Sequence, residues 1–164
     1  YTKFSMKAPF VFNERQKKSA GSVIAGASFS MFNMDSDSSV VPISLNDYFT
    51  TEAGLNSLNV MNIGIKVGYM YTYVYKERYF LTLNLSPGLV FNYGDYSNGL
   101  REELPTGLNF SFSSMNSIGY NGDRWFGGFN LIWDNYNVKV TSHTRIGIGS
   151  GKMTAFIGYR FGRK

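Results

Sequence analysis

The sequence predicts an all-β chain, an antiparallel transmembrane β-barrel of the outer-membrane type. Three features carry that prediction. Long runs alternate between apolar residues and small or polar ones, which a strand turns into two unlike faces. Tyrosines gather at one end of the longest runs, where a membrane interface would lie. The connections alternate short and long, as periplasmic turns and external loops do in such barrels.

In chain order, Phe4, Met6, Ala8, Phe10 and Phe12 alternate with Lys3, Ser5, Lys7, Pro9 and Val11 and predict a first strand. Residues 13–18 form a short charged turn. Val23, Ala25, Ala27, Phe29 and Met31 then share one face, opposite Ser22, Gly26, Ser28 and Ser30. A polar connection follows over residues 34–57, rich in Asp and Ser.

The most regular pair of runs comes next. Met61, Ile63, Ile65, Val67, Tyr69, Tyr71, Tyr73 and Tyr75 alternate with Asn62, Gly64, Lys66, Gly68, Met70, Thr72 and Val74. Lys76-Glu77-Arg78 turns the chain. Tyr79, Leu81, Leu83, Leu85, Pro87, Leu89, Phe91 and Tyr93 then alternate with Thr82, Asn84, Ser86, Gly88 and Asn92. Soluble strands have a mode of about five or six residues. The run 61–75, at about 3.4 Å per residue and a tilt of about 45°, rises roughly 35 Å, enough for a bilayer's apolar band and both interfaces.

A second long connection, residues 95–106, contains Arg101, Glu102, Glu103 and Pro105. A fifth run has Leu108, Phe110, Phe112, Ile118 and Tyr120 on one face, interrupted by Ser114 and Asn116. Asn121-Gly122-Asp123 signals a tight turn. Trp125, Phe129, Leu131 and Trp133 mark a sixth run, opposite Asn130 and Asp134. Its pattern blurs after Trp133, which suggests a bulge. Residues 139–152 read as an outer segment. Met153, Ala155, Ile157, Tyr159 and Phe161 form the last strand.

Seven strands are thus counted. Single-chain barrels usually have an even number. An eighth strand within residues 144–149, or an odd number upstream of Tyr1, restores parity. The expectation is a single domain over residues 1–164, with about eight strands visible, or the C-terminal part of a larger barrel of about twelve. The chain starts at Tyr1 without a signal peptide, so it reads as a mature form or a fragment that lacks some N-terminal strands.

Composition agrees. Aromatics reach 17% and glycines number 18, while charged residues make up only 16% of the 164 residues. Soluble domains carry about 25% charge. Mean hydropathy is −0.17, and no run of about 18 apolar residues exists, so helical spans are excluded. A barrel hides its apolar residues by alternation. A soluble lipocalin-like barrel would turn the apolar face inward and carry a charged outer face. Here the polar face is mostly Gly, Ser, Asn and Thr, which suits a packed interior.

Net charge is +5. The clusters Arg15, Lys17, Lys18 and Arg160, Arg163, Lys164 read as solvated turn and terminal charge, so no nucleic-acid partner is expected. The absence of cysteine excludes disulfides and thiol chemistry.

Several motifs fail on inspection. Residues 147–154 resemble a phosphate loop, but Ile146 replaces the first Gly and Met153 the metal-binding Ser or Thr. Residues 35–39 begin like a calcium loop, but Val40 and Asn46 replace its Gly and Glu. His143 is the single histidine, so no multi-His metal site exists. With Ser142 and Thr144 it allows, at most, a rim enzyme. No catalytic residue and no cofactor is expected.

The polar positions expected to line a lumen are Lys7, Lys66, Asn84, Asn130, Asp134 and Arg160. Tyr69, Tyr71, Tyr73, Tyr75, Tyr79 and Trp125 are expected at the membrane interfaces. Lys66 has Gly64 and Gly68 beside it in phase, which leave room to reach across. Asp134 is the matching acid. A barrel of about eight strands is just filled by side chains, so a plugged interior is expected over an open pore.

The run Glu14-Arg15-Gln16-Lys17-Lys18-Ser19-Ala20-Gly21-Ser22, with Phe4-Ser5, Ala8 and the ending Ile157-Gly158-Tyr159-Arg160-Phe161, resembles an uncharacterised Bacteroidetes family, domain of unknown function 4421. The resemblance covers essentially the whole chain. It implies a secreted outer-membrane barrel with a longer N-terminus and supplies no activity. The expected role is a structural or accessory protein of the bacterial outer membrane, in contact with membrane lipid and other outer-membrane proteins. A small-solute channel is the alternative.

Overall fold

The computed structural model describes residues 3–39, 54–140 and 144–161. One antiparallel sheet accounts for most of them. Its strands are β1 (Ala20–Asp35), β2 (Ser57–Tyr75), β3 (Tyr79–Ser97), β4 (Arg101–Glu103), β5 (Gly107–Asn121), β6 (Trp125–Lys139) and β7 (Arg145–Tyr159). The spatial order is β1-β2-β3-β5-β6-β7, with three-residue β4 paired to the end of β3. Among the described residues β1 and β7 do not pair, so the sheet is open and not a closed barrel.

The alternation read from the sequence becomes two faces. Val23, Phe29, Met31, Ile63, Ile65, Val67, Leu83, Leu85, Phe110, Trp133, Met153 and Ile157 are all exposed on the outer face. Asn62, Thr72, Thr82, Asn84, Ser86, Asn92, Ser111 and Ser117 are buried on the inner one. The sheet curls around this inner face, far enough for β2 and β6 to touch through side chains across two intervening strands.

Two ladder gaps fall in the middle of β3. Pairing with β2 stops at Lys66–Gly88 and resumes at Tyr69–Leu85, because Pro87 has no N–H to give there. Pairing with β5 stops at Thr82–Ser117 and resumes at Ser86–Ser113. In that second gap Asn84 N donates to Asn116 Oδ1 (3.4 Å) and Ser114 Oγ donates to Asn84 O (3.1 Å). Ser114 and Asn116, which interrupt the apolar face of β5, thus stand in for missing ladder bonds.

Four sequence expectations are corrected. The first predicted strand is instead a one-turn helix, α1 (Lys7–Phe10), closed by Val11 N and Phe12 N on Lys7 O. Pro9 removes a ladder donor, and Phe12 takes a positive φ of 60°, so the segment folds back instead of extending. Among the described residues the count is therefore six long strands and one short one. The outer segment 139–152 is mostly strand: β6 runs to Lys139 and β7 starts at Arg145. No bulge follows Trp133, since the β5–β6 and β6–β7 registers run unbroken.

The blurred pattern after Trp133 has another cause. Toward the loop end the two faces exchange character. On β1 the inward residues become Phe32 and Met34, on β2 Val60 and Leu58, on β3 Tyr96, on β6 Tyr136 and Val138, and on β7 Ile148 and Ile146. Their outward neighbours become Asn33, Asn59, Asp95, Asn135 and Arg145. These inward residues meet in one cluster at the loop end, with Phe32 paired to Val60, Leu58 to Tyr96 and Val138 to Ile146. Along the ladders, however, Tyr136 lines up with Ser111, Gly88 and Lys66, so the exchange runs obliquely across the sheet.

Candidate functional site

The inner face is a stack of three tiers. The turn end is filled by residues 3–19. Phe12 is buried against Phe80 of β3, Phe126 of β6 and Phe156 of β7, with ring centroids 5.5, 5.7 and 4.4 Å away. Arg160 latches this segment. It donates from Nη2 to Phe12 O and Asn121 Oδ1, both at 2.8 Å, and from Nη1 to Gly122 O at 2.7 Å. Its guanidinium also lies 4.4 Å over the Phe126 ring. Gln16 is buried and ties its own segment together, accepting from Ser5 N and donating to Lys3 O. Asn121 Nδ2 donates to Glu14 O (2.9 Å).

The middle tier is polar. Lys66 Nζ forms an ion pair with Asp134 Oδ1, joining β2 to β6. The pairing expected from the sequence is present. On the same face, toward the turn end, Thr72 Oγ1 meets Thr82 Oγ1 at 2.9 Å, and Asn84 Nδ2 donates to Tyr69 O (3.2 Å) and Ser86 Oγ (3.0 Å). Ser117 Oγ lies within hydrogen-bond reach of Pro9 O (3.0 Å) and Asn130 Oδ1 (2.5 Å). The loop-end tier is the apolar cluster of Leu55, Leu58, Val60, Tyr96, Leu104, Val138 and Val140.

Of the predicted polar lining, Lys66, Asn84, Asn130 and Asp134 share this inner face. Lys7 does not: it lies exposed on α1, for the reason that moved its segment out of the sheet. Arg160 falls just beyond β7 and serves as the latch described above. Tyr69, Tyr71, Tyr73, Tyr75, Tyr79 and Trp125 are all exposed on the outer face toward the turn end. Sequence reasoning missed the two end tiers. Pro9 and the inward runs Leu58, Val60 and Tyr136, Val138 were the available signals.

Among the described residues, two grooves lie outside the stack, at its rims. One, at the turn end, is lined by Arg15, Lys76, Glu77, Arg78, Tyr79 and Tyr120. The other, at the loop end, is lined by Tyr93, Gly94, Asp95, Arg101, Glu102 and Glu103. There Arg101 Nε and Nη2 grip Asp95 at 2.9 and 2.8 Å. That bidentate hydrogen bond lowers the Asp95 carboxyl below its ordinary range and raises Arg101.

Residues 147–154, the loop that resembled a phosphate site, lie within β7, so no helix N-terminus is there to hold an anion. Asp35, from the supposed calcium loop, ends β1 and accepts from Ser57 Oγ (2.6 Å). His143 and Ser142 lie outside the described residues. Among the described residues no three His, Cys, Asp or Glu side chains gather as a metal site.

A family model described as a domain of unknown function (DUF4421) matches residues 1–161. Neither a curated protein nor a solved structure gives a significant match.

Proposed function

We infer that this chain, which belongs to the DUF4421 family, forms the wall and stopper of a bacterial outer-membrane β-barrel and serves a structural or accessory role in the envelope. The observation that carries this reading is the exchange of faces toward the loop end of β1, β2, β3, β6 and β7. On the turn side of the exchange the strands are apolar outside and polar inside, as lipid demands. On the loop side those five strands are polar outside and apolar inside, as water demands. A soluble barrel has no use for a broad apolar band on its outer wall.

In lipid, every backbone N–H and C=O must be paired within the protein, so the open edges of β1 and β7 need partners. The six long strands alternate in direction, which leaves β1 and β7 antiparallel to each other. Closure therefore takes an even number of added strands. The tight curl, with Lys66 reaching Asp134 and Phe12 touching β3, β6 and β7, suits a narrow barrel of about eight strands, whose interior side chains fill. One added hairpin between β7 and β1 completes it.

Both ends of the interior are occupied, one by residues 3–19 and the other by the apolar cluster. This favours a stoppered wall over a solute channel, and it assigns no catalysis. Two measurements test the reading together. The protein should require detergent for extraction and should give no steady single-channel conductance in planar bilayers. Solubility without detergent would overturn the membrane assignment, and a steady conductance would favour the channel.

A further inference from the structure

We propose that the turn-end rim groove binds the phosphodiester headgroup of a membrane phospholipid. The proposal rests on the membrane reading above and adds a ligand to it.

The rim is unequally charged. Residues 3–19, 76–78, 121–124 and 160, all at the turn end, contain nine basic and three acidic side chains. At the loop end, the described residues of 33–39, 54–59, 93–106 and 135–147 contain three basic and five acidic ones. An anionic surface is therefore met by one end of the sheet and repelled by the other.

The groove itself, about 450 Å³, concentrates that charge. Asp123 holds two guanidiniums from distant segments side by side, Arg15 at 2.6 Å and Arg78 at 3.4 Å. Arg78 remains half exposed, and a guanidinium carries five N–H donors in a fork that fits a phosphate. Lys76 Nζ sits 5.2 Å over the Tyr75 ring. Tyr79 and Tyr120, with ring centroids 5.1 Å apart, form the wall that descends toward the apolar band. Such phenols prefer the headgroup level, apolar at one end and wet at the other.

The turn backbone points the same way. Lys76 and Glu77 both hold positive φ, 50° and 54°, where Asn and Gly sit more easily. The tight turn between Tyr75 and Tyr79 demands these angles, and they place both charged side chains at the tip of the β2–β3 hairpin. Glu77 also lines the groove, and its carboxylate repels a doubly charged inorganic phosphate more than a singly charged phosphodiester.

The test uses Lys76→Gln and Arg78→Gln, two exposed positions whose variants are checked for folding by heat-modifiable gel migration. Detergent-solubilised protein is mixed with phosphatidylglycerol, and lipid retention is read by native mass spectrometry. The parent should retain one lipid about tenfold more tightly than either variant, and added inorganic phosphate should not displace it. Equal retention by folded variants, or displacement by inorganic phosphate, would overturn the proposal while the membrane reading stands. Protein that stays soluble without detergent would overturn both.

Discussion

Lys66 on β2 and Asp134 on β6 are joined by an ion pair that spans β3 and β5 across the inner face. Only 17% of the Lys66 side chain is exposed, against 40% for Asp134, so the pair is part hydrated. Breaking a fully buried pair costs about 3–5 kcal/mol. Lys66→Met should therefore destabilise by less, roughly 2 kcal/mol. Adding Asp134→Asn should recover most of the loss. A double-mutant cycle on denaturant unfolding checks this, and additive losses would mean that the two side chains do not interact.

Phe12 should hold residues 3–19 in place. Its ring is buried among Phe80, Phe126 and Phe156, so Phe12→Ala should cost about 3–5 kcal/mol locally. The measurement is protease nicking: cleavage should appear within residues 3–19 while the strands stay intact. Arg160→Met should give the same pattern, because it removes the donors to Phe12 O and Gly122 O.

Two glycines on the inner face should behave oppositely. A Cβ at Gly68 would lie 2.2 Å from Leu85 O, a backbone atom, beside the ladder gap at Pro87. Gly68→Ala should destabilise by about 1–3 kcal/mol. Gly26 has open space where its Cβ would go. Gly26→Ala should stay within about 0.5 kcal/mol of the parent. Thermal or denaturant midpoints of the two variants report the difference.

Asp95 should make the loop-end rim acid-sensitive. The Arg101 hydrogen bond holds its folded carboxyl below the ordinary value. A depressed carboxyl contributes stability that is fully present above the unfolded value and fades as pH falls through the folded one. The protection of β4 amides, taken as exchange relative to the intrinsic rate at each pH, should therefore fall on acidification below about pH 4. In Asp95→Asn that fall in protection should disappear.

Much of this architecture was legible in the sequence. Strict alternation over 61–75 and 79–93 gave the β2–β3 hairpin and the correct inner and outer sets. Gly64 and Gly68 beside Lys66 pointed to the pair with Asp134. Local pattern failed where tertiary burial reversed its meaning. Residues 4–12 alternate as well as a strand does, yet Pro9 and the pocket for Phe12 make them a folded stopper. Tyr136 and Val138 looked like a bulge because inward apolar residues replaced outward ones without any change of register. The same reversal at Ile146 and Ile148 hid the first half of β7 inside a supposed loop. Open edges at β1 and β7 leave no mark in a periodicity.

The exchange of faces along β2 is the claim that most needs measurement. The chain has no cysteine, so single Cys substitutions at positions 59 to 67 can each take a nitroxide label in reconstituted protein. Collision with oxygen, which concentrates in lipid, is compared with collision with a water-soluble nickel chelate. Labels at Ile63, Ile65 and Val67 should favour oxygen, and a label at Asn59 should favour the chelate. Chelate access at Ile65 equal to that at Asn59 would contradict a lipid-facing wall.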